Sequence, residues 1–244
     1  MMFRIVSVIV VAAALTVGAA TGTAAAQPLR HPSAPPQLTG EQLEAALLPP
    51  SAWGQGYVND SELNTGKKLM HKKVTIVSSL SCGYYEDNTF VGNFGNTGGA
   101  LESWSNPNWE GGWPFSLQYG NQSLMQFPTT ALATGYMNAA HAKYNSCGSF
   151  SAPNTGDANP GGGTVLFTTV SVTATTVSGY RAFSVVQMVA RSESSGAPWY
   201  LNSIFVLVGN DVFNVSVLTG NSDGPSTSIT SNLIHHVLAA QQHS

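Results

Sequence analysis

Few residues in this chain could do chemistry, and most of those fall in one region. Glu86-Asp87, Glu102 and Glu110 lie in or beside an aromatic-rich stretch that runs from Tyr84 to Tyr119. Two carboxylates facing one another across a cleft could serve as acid and base in glycoside cleavage. Spacing along the chain does not set spacing in space, and twelve acidic residues will cluster somewhere by chance, so no catalytic role is assigned to them. The same stretch carries Trp104, Trp109, Trp113 and Tyr119 among many Gly and Asn residues. Aromatic rings beside polar amides bind sugars or apolar ligands, which makes these four the candidate ligand-binding residues. The alternative is that a loop-rich region uses the same rings to build a small core of its own.

The remaining candidates are weaker. His235-His236 are adjacent on a helical segment and so point to different faces, one half-buried and one solvated. Lys67, Lys68, Lys72 and Lys73 could meet an anionic ligand or headgroup, but lysines in such a run more often guard a solvated strand edge. HExxH, GxSxG and P-loop patterns are missing from the sequence. Gly161-Gly162-Gly163 and the glycines from Gly95 lack the strand, helix and Lys that would make a phosphate cradle, and read as flexible loops. Cys82 and Cys147 stand far apart with no CxxC or HxxxH beside them, which is not metal-ligand spacing. Neither a metal nor a cofactor is expected.

Those two cysteines and the first 26 residues indicate a compartment. Arg4, an apolar run from Ile5 to Val17 and the small residues Ala24-Ala25-Ala26 form a secretory leader, with cleavage expected after Ala26. The apolar run is short for a membrane span and no second long one follows, so a secreted, extracellular chain without stable membrane insertion is expected. In an oxidising compartment an even cysteine count favours a Cys82–Cys147 disulfide. Without the leader, eight basic residues face twelve acidic ones, a balance that argues against nucleic acid as a partner.

The elements that must position these residues follow from pattern. Residues 27–38 hold four prolines and read as an extended linker, leaving 39–243 as one domain. Thr39 and Gln42 form a capping box for a first helix over about 40–48, with Leu43, Ala46 and Leu47 on one face and Pro49-Pro50 as its stop. Strands are expected at Lys72–Leu80 and Phe115–Phe127. A second helix follows, capped by Thr129 or Thr130, with Leu132, Tyr136, Ala139, Ala140 and Lys143 recurring at helical spacing up to Cys147-Gly148. Four strands, Val165–Val177, Tyr180–Arg191, Trp199–Val208 and Val212–Leu218, form an antiparallel meander. In the last of them Phe213, Val215 and Val217 alternate with Asn214 and Ser216, as in a sheet covered on one side. A C-terminal helix capped by Ser226 or Ser228 carries Ile229, Leu233, Val237 and Ala240 as its apolar stripe. The fold class is therefore α+β: a single domain with a twisted antiparallel sheet and helices packed on one face.

Several landmarks in this order resemble the PknH-type extracellular sensor domain of actinobacterial receptor Ser/Thr kinases and its free-standing secreted relatives. They are Leu47-Leu48-Pro49 closing the first helix, Cys82 after a strand, Phe127-Pro128-Thr129 opening the second helix, Cys147 closing it, Trp199 starting a strand, and GNDVFNVSV before the last helix. The resemblance implies a cleft for an extracellular ligand and no catalytic residues. The chain departs from kinase-attached members in lacking the kinase, a transmembrane helix and a second cysteine pair. Leu201 and Leu218 stand where those cysteines would be, and an apolar pair could fill the site by packing. The resemblance also implies a bacterial secreted protein, so the N-x-S triplets at Asn59, Asn121 and Asn214 are not read as glycosylation sites.

Three functions remain in contention. The leading one is a non-enzymatic ligand-binding domain of the sensor type, acting at the cell envelope on a small molecule, envelope component or protein partner. A secreted hydrolase on envelope glycans or esters would need paired carboxylates, or a Ser and a His, within hydrogen-bond reach. A protein-interaction module would show an exposed apolar patch.

Overall fold

A computed structural model describes residues 36–38, 42, 45–53, 58–59, 94–95, 97–106, 118–153, 164–191, 198–220, 222 and 226–242, all within the compact unit Ala34–Ser244. Its strands are β1 (Val58–Asn59), β2 (Gly98–Asn106), β3 (Gln118–Gln126), β4 (Ser149–Pro153), β5 (Thr164–Val177), β6 (Tyr180–Arg191), β7 (Trp199–Val208) and β8 (Asp211–Thr219). They form one eight-stranded sheet in the order β1-β2-β3-β8-β7-β6-β5-β4. Every neighbouring pair is antiparallel. Two helices are described in full, α1 (Thr130–Ser146) and α2 (Ser226–Gln242). Gln42, Ala45 and Ala46 are helical too, followed by a 3-10 turn over Pro50–Trp53.

The hairpins form because their turn residues allow it. Ser178 and Gly179, with φ of 52° and 81°, make the two-residue connection from β5 to β6. Positive φ at both central residues matches the twist of the flanking strands. Gly209 at φ 62° starts the turn into β8. Thr129 caps α1, its Oγ1 accepting from the Leu132 amide at 3.2 Å. Phe127, between β3 and α1, ties three segments together. Its amide donates to the Asn210 carbonyl, and its own carbonyl accepts from the Asn210 and Gln37 side chains, each at 2.9 Å.

Neighbours along a strand point to opposite faces, and both faces are buried. Ile204, Val206, Val208, Phe213, Val215, Val217 and Leu124 pack with Ile229, Leu233, Ile234 and Val237 of α2 and with Ala46, Leu47, Leu48 and Trp53. On the other face, Phe183, Val185, Phe205, Val212 and Met125 pack with Ala133, Tyr136, Met137, Ala140 and Tyr144 of α1. The first and last helices thus share a face as expected, whereas α1 covers the opposite one. Asn214 and Ser216 are correspondingly buried in a strand with no exposed residue. The apolar stripe of α1 is also rotated from the expected one: Leu132 is 37% exposed while Met137 and Tyr144 turn inward. Capping at Thr129 puts Leu132 in the first turn, outside the stripe set by the larger Tyr136, Met137 and Tyr144.

Two polar contacts seat the N-terminal segment on the α2 face. Gln122 grips the backbone of Leu48, donating to its carbonyl at 2.7 Å and accepting from its amide at 3.0 Å. His236 Nδ1 donates to the Ala46 carbonyl at 2.8 Å. Trp53 lies against β3 at Gly120, where any Cβ would collide with the indole ring. The strand expected over Lys72–Leu80, the lysines before it and Cys82 lie outside the described residues.

Candidate functional site

The α1 face of the sheet is divided. One end carries the α1 cluster, in which the Phe183 and Phe205 rings stack 4.6 Å apart. The other end carries Val165, Val189, Trp199 and Leu218, with Phe167 and Leu201 packed against them. Leu201 and Leu218 are direct cross-strand partners, so apolar packing joins β7 to β8 at this point.

Between the two apolar ends runs a band of uncharged polar side chains: Asn121 and Ser123 on β3, Asn214 and Ser216 on β8, Ser203 on β7, and Gln187 on β6. Register pairs Asn121 with Ser216 and Ser123 with Asn214, so two N-x-S segments meet head to tail. Ser216 continues the row to Ser203. Gln187 flanks the band, paired with Leu201 on one side and Thr169 of β5 on the other.

The hydrogen bonds within the band have a direction. Ser216 donates to Asn214 Oδ1 at 3.1 Å. Its single proton is thereby used, so Ser203 is the donor in the 2.8 Å contact between the two hydroxyls. Asn214 in turn donates to the Ile204 carbonyl at 3.3 Å. Four polar atoms around this relay have no hydrogen-bond partner among the described residues: Asn121 Oδ1, Ser123 Oγ, Thr169 Oγ1 and Gln187 Nε2. Ser123 is fully buried and Gln187 is 4% exposed. A buried polar group left without a partner costs about 1–3 kcal/mol, and interiors rarely gather several in one place without water or a ligand to meet them. The band has donors, acceptors and hydroxyls and, among the described residues, no ionisable group, so it can orient a polar molecule.

No protein-family model and no curated protein sequence matches this chain. Among solved structures, the extracellular domain of PknH from Mycobacterium tuberculosis superposes with a TM-score of 0.57 at 16% sequence identity, over 86% of this chain and all of that one. The fold is PknH-like. An identity this low carries the architecture and nothing about ligands.

On this PknH-like scaffold the sequence candidates are distributed unevenly. Tyr119 sits on β3 in register with Leu218, in the row that continues through Leu201 to Gln187, beside the polar band. Trp104 sits on β2 opposite Gly120, and Glu102 opposite Gln122. Trp109, Trp113, Glu86, Asp87 and Glu110 lie outside the described residues. Cys147 caps the end of α1 and is 4% exposed. Both His235 and His236 are on the exposed side of α2, which differs from the one-inward reading, because the buried stripe takes Leu233, Ile234 and Val237 around them.

One ionisable group escaped notice in the sequence. Asp211, the first residue of β8, is fully buried on the α2 face and accepts from Gln241 Nε2 at 2.6 Å. Burial pushes its pKa up to about 7, against the lowering effect of hydrogen bonds from Gln241 and Gln126. It anchors α2 to the sheet. Among the described residues, no group of three or more His, Cys, Asp or Glu could hold a metal ion, and no helix is long and apolar enough to cross a membrane.

Proposed function

We propose that this protein is a secreted, non-enzymatic ligand-binding domain of the sensor type, acting at the cell envelope. The observation that carries the reading is the uncharged polar band on the α1 face, with four buried polar atoms that have no hydrogen-bond partner among the described residues. A fold shared with an extracellular domain supports it. The chemistry of the band favours a neutral ligand offering both donors and acceptors, and Trp104, Trp109, Trp113 and Tyr119 are the aromatic residues proposed to bind it. A leader over residues 1–26 and a Cys82–Cys147 disulfide complete the proposal and suit an oxidising compartment, while the linker expected over 27–38 ends before Gln37 and Leu38, which are held against the domain.

The test is thermal unfolding of the oxidised chain with muropeptides, neutral oligosaccharides, fatty acids and phospholipids in turn. A ligand at a hundredfold its dissociation constant stabilises the folded state by about 2.7 kcal/mol, which moves the midpoint by several degrees. A saturable shift with one class, lost on substituting Gln187 or Asn121, supports the reading. Failure of every class to shift the midpoint would overturn it.

A further inference from the structure

The two outer strands of the sheet end it differently. β1 is a two-residue strand that pairs only with Trp104 and Ser105 of β2, and the rest of that outer edge, residues 98–103, carries Glu102 and two glycines, both unfavourable to strand addition. At the other side β4 covers only residues 164–168 of the fourteen-residue β5, and the Thr169 amide reaches back to the Gly148 carbonyl at 2.8 Å. Beyond that point β5 pairs with β6 on one side and with no described strand on the other. Val170, the extra residue at a bulge in the β5–β6 register, is 56% exposed. Ser171, Thr173, Ala174, Thr175 and Thr176 are exposed as well.

An edge with no strand beside it among the described residues is a template for strand addition, and soluble proteins usually block one with Lys, Pro, a bulge or a covering loop; here the bulge lies before residue 171 and leaves 171–177 regular. No charged residue and no proline occurs between Thr164 and Tyr180. Residues 168–178 are all Thr, Ser, Val or Ala, a composition dominated by β-branched residues that favour extended structure.

We propose that this edge is an interaction surface for a second copy of the chain, joined by antiparallel pairing of residues 171–177 about a two-fold axis. A two-fold axis sets each residue type against its own kind or its mirror neighbour, so a charged edge would repel itself. This edge has no such charge. An axis through Ala174 sets Thr173 against Thr175 of the second copy and Val172 against Thr176, with matching faces aligned because the offsets are even. Thr–Thr and Val–Thr cross-strand pairs are favourable ones. The result is one sheet continuous through both copies, and the pairing closes at two.

The experiment is sedimentation of the purified chain from about 1 μM to about 1 mM, a range spanning weak and moderate self-association. Parent protein, Ala174→Lys and Ala174→Glu are run alone, then the two variants are mixed. The expected result is a dimer for the parent, at least about tenfold weaker association for each variant alone, and recovery in the mixture, where Lys faces Glu. Circular dichroism checks that both variants fold. Should either fail to, Thr175→Lys and Thr175→Glu replace them, opposite Thr173 of the second copy. A parent that stays monomeric to the highest concentration overturns the proposal and leaves the edge to an extended peptide of another protein. A dimer unmoved by the charges overturns it equally, by placing the interface elsewhere. The proposal stands independently of what the polar band binds.

Discussion

Asp211 and Ser123 are buried for opposite reasons, and each reason has a measurable consequence. The Asp211 pKa, about 7 in the folded chain against 3.8 for the ordinary group, means the native state holds that proton more tightly than the unfolded state does. Its contribution to stability is therefore complete below pH 3.8, declines as pH rises, and is lost above about pH 7. Asp211→Asn cannot ionise and keeps an acceptor for Gln241. It should match the parent near pH 3.5 and exceed it at pH 8 by a few kcal/mol, since one pKa unit is worth about 1.4 kcal/mol. Urea titrations at the two pH values check this, and equal stability differences at both would refute it. Ser123 has a hydroxyl without a described partner. Ser123→Ala removes that unmet group, so it should leave stability unchanged or raise it by about 1 kcal/mol while weakening whatever ligand response the domain shows. A loss of about 2 kcal/mol or more would mean that the hydroxyl is bonded in solution and structural.

At the scale of elements, the Gln122 clamp on Leu48 holds the N-terminal segment over the sheet. Gln122→Ala leaves a buried amide and carbonyl unmet, which should cost about 2–4 kcal/mol and raise hydrogen exchange at Leu48 ahead of the sheet. Uniform exchange across both would show that the segment and the sheet open together. The meander from β5 to β8 was readable in the sequence because Val, Ile, Phe and Thr alternate and Ser178-Gly179 and Gly209-Asn210 punctuate them. β2 and β4 were not: Gly98-Gly99 opens the first without a β-branched run, and the second is five residues long directly after a helix. Residue pattern showed that α1 has a buried side, but not which face of the sheet receives it. That choice also hid the site. Asn214 and Ser216 alternate with apolar residues just as solvent-facing positions do, and only the register with Asn121 and Ser123 shows that the two N-x-S triplets form one interior band.

At the scale of the whole molecule, one crossover joins sequence-distant parts of the sheet. The chain leaves the centre of the sheet at Phe127, crosses by α1, and re-enters at the far edge as β4, so the end of α1 at Cys147 is where the crossover must be fixed. The proposed disulfide would fix it. Joining Cys82 to Cys147 closes a loop of about 65 residues, equivalent to about 4 kcal/mol of lost denatured-state entropy in the chain-entropy model. Cys147→Ser should lower stability by about 2–4 kcal/mol, and the same loss should follow in the parent on adding reductant but not in the variant. That second arm separates the link from the packing of a residue that is 4% exposed, since reductant leaves the Cys147 side chain in place. Two titratable free thiols in the unreduced parent, or a parent indifferent to reductant, would dismiss the disulfide and leave the crossover to the buried face of α1 and the Arg181–Asn138 hydrogen bond among the described residues.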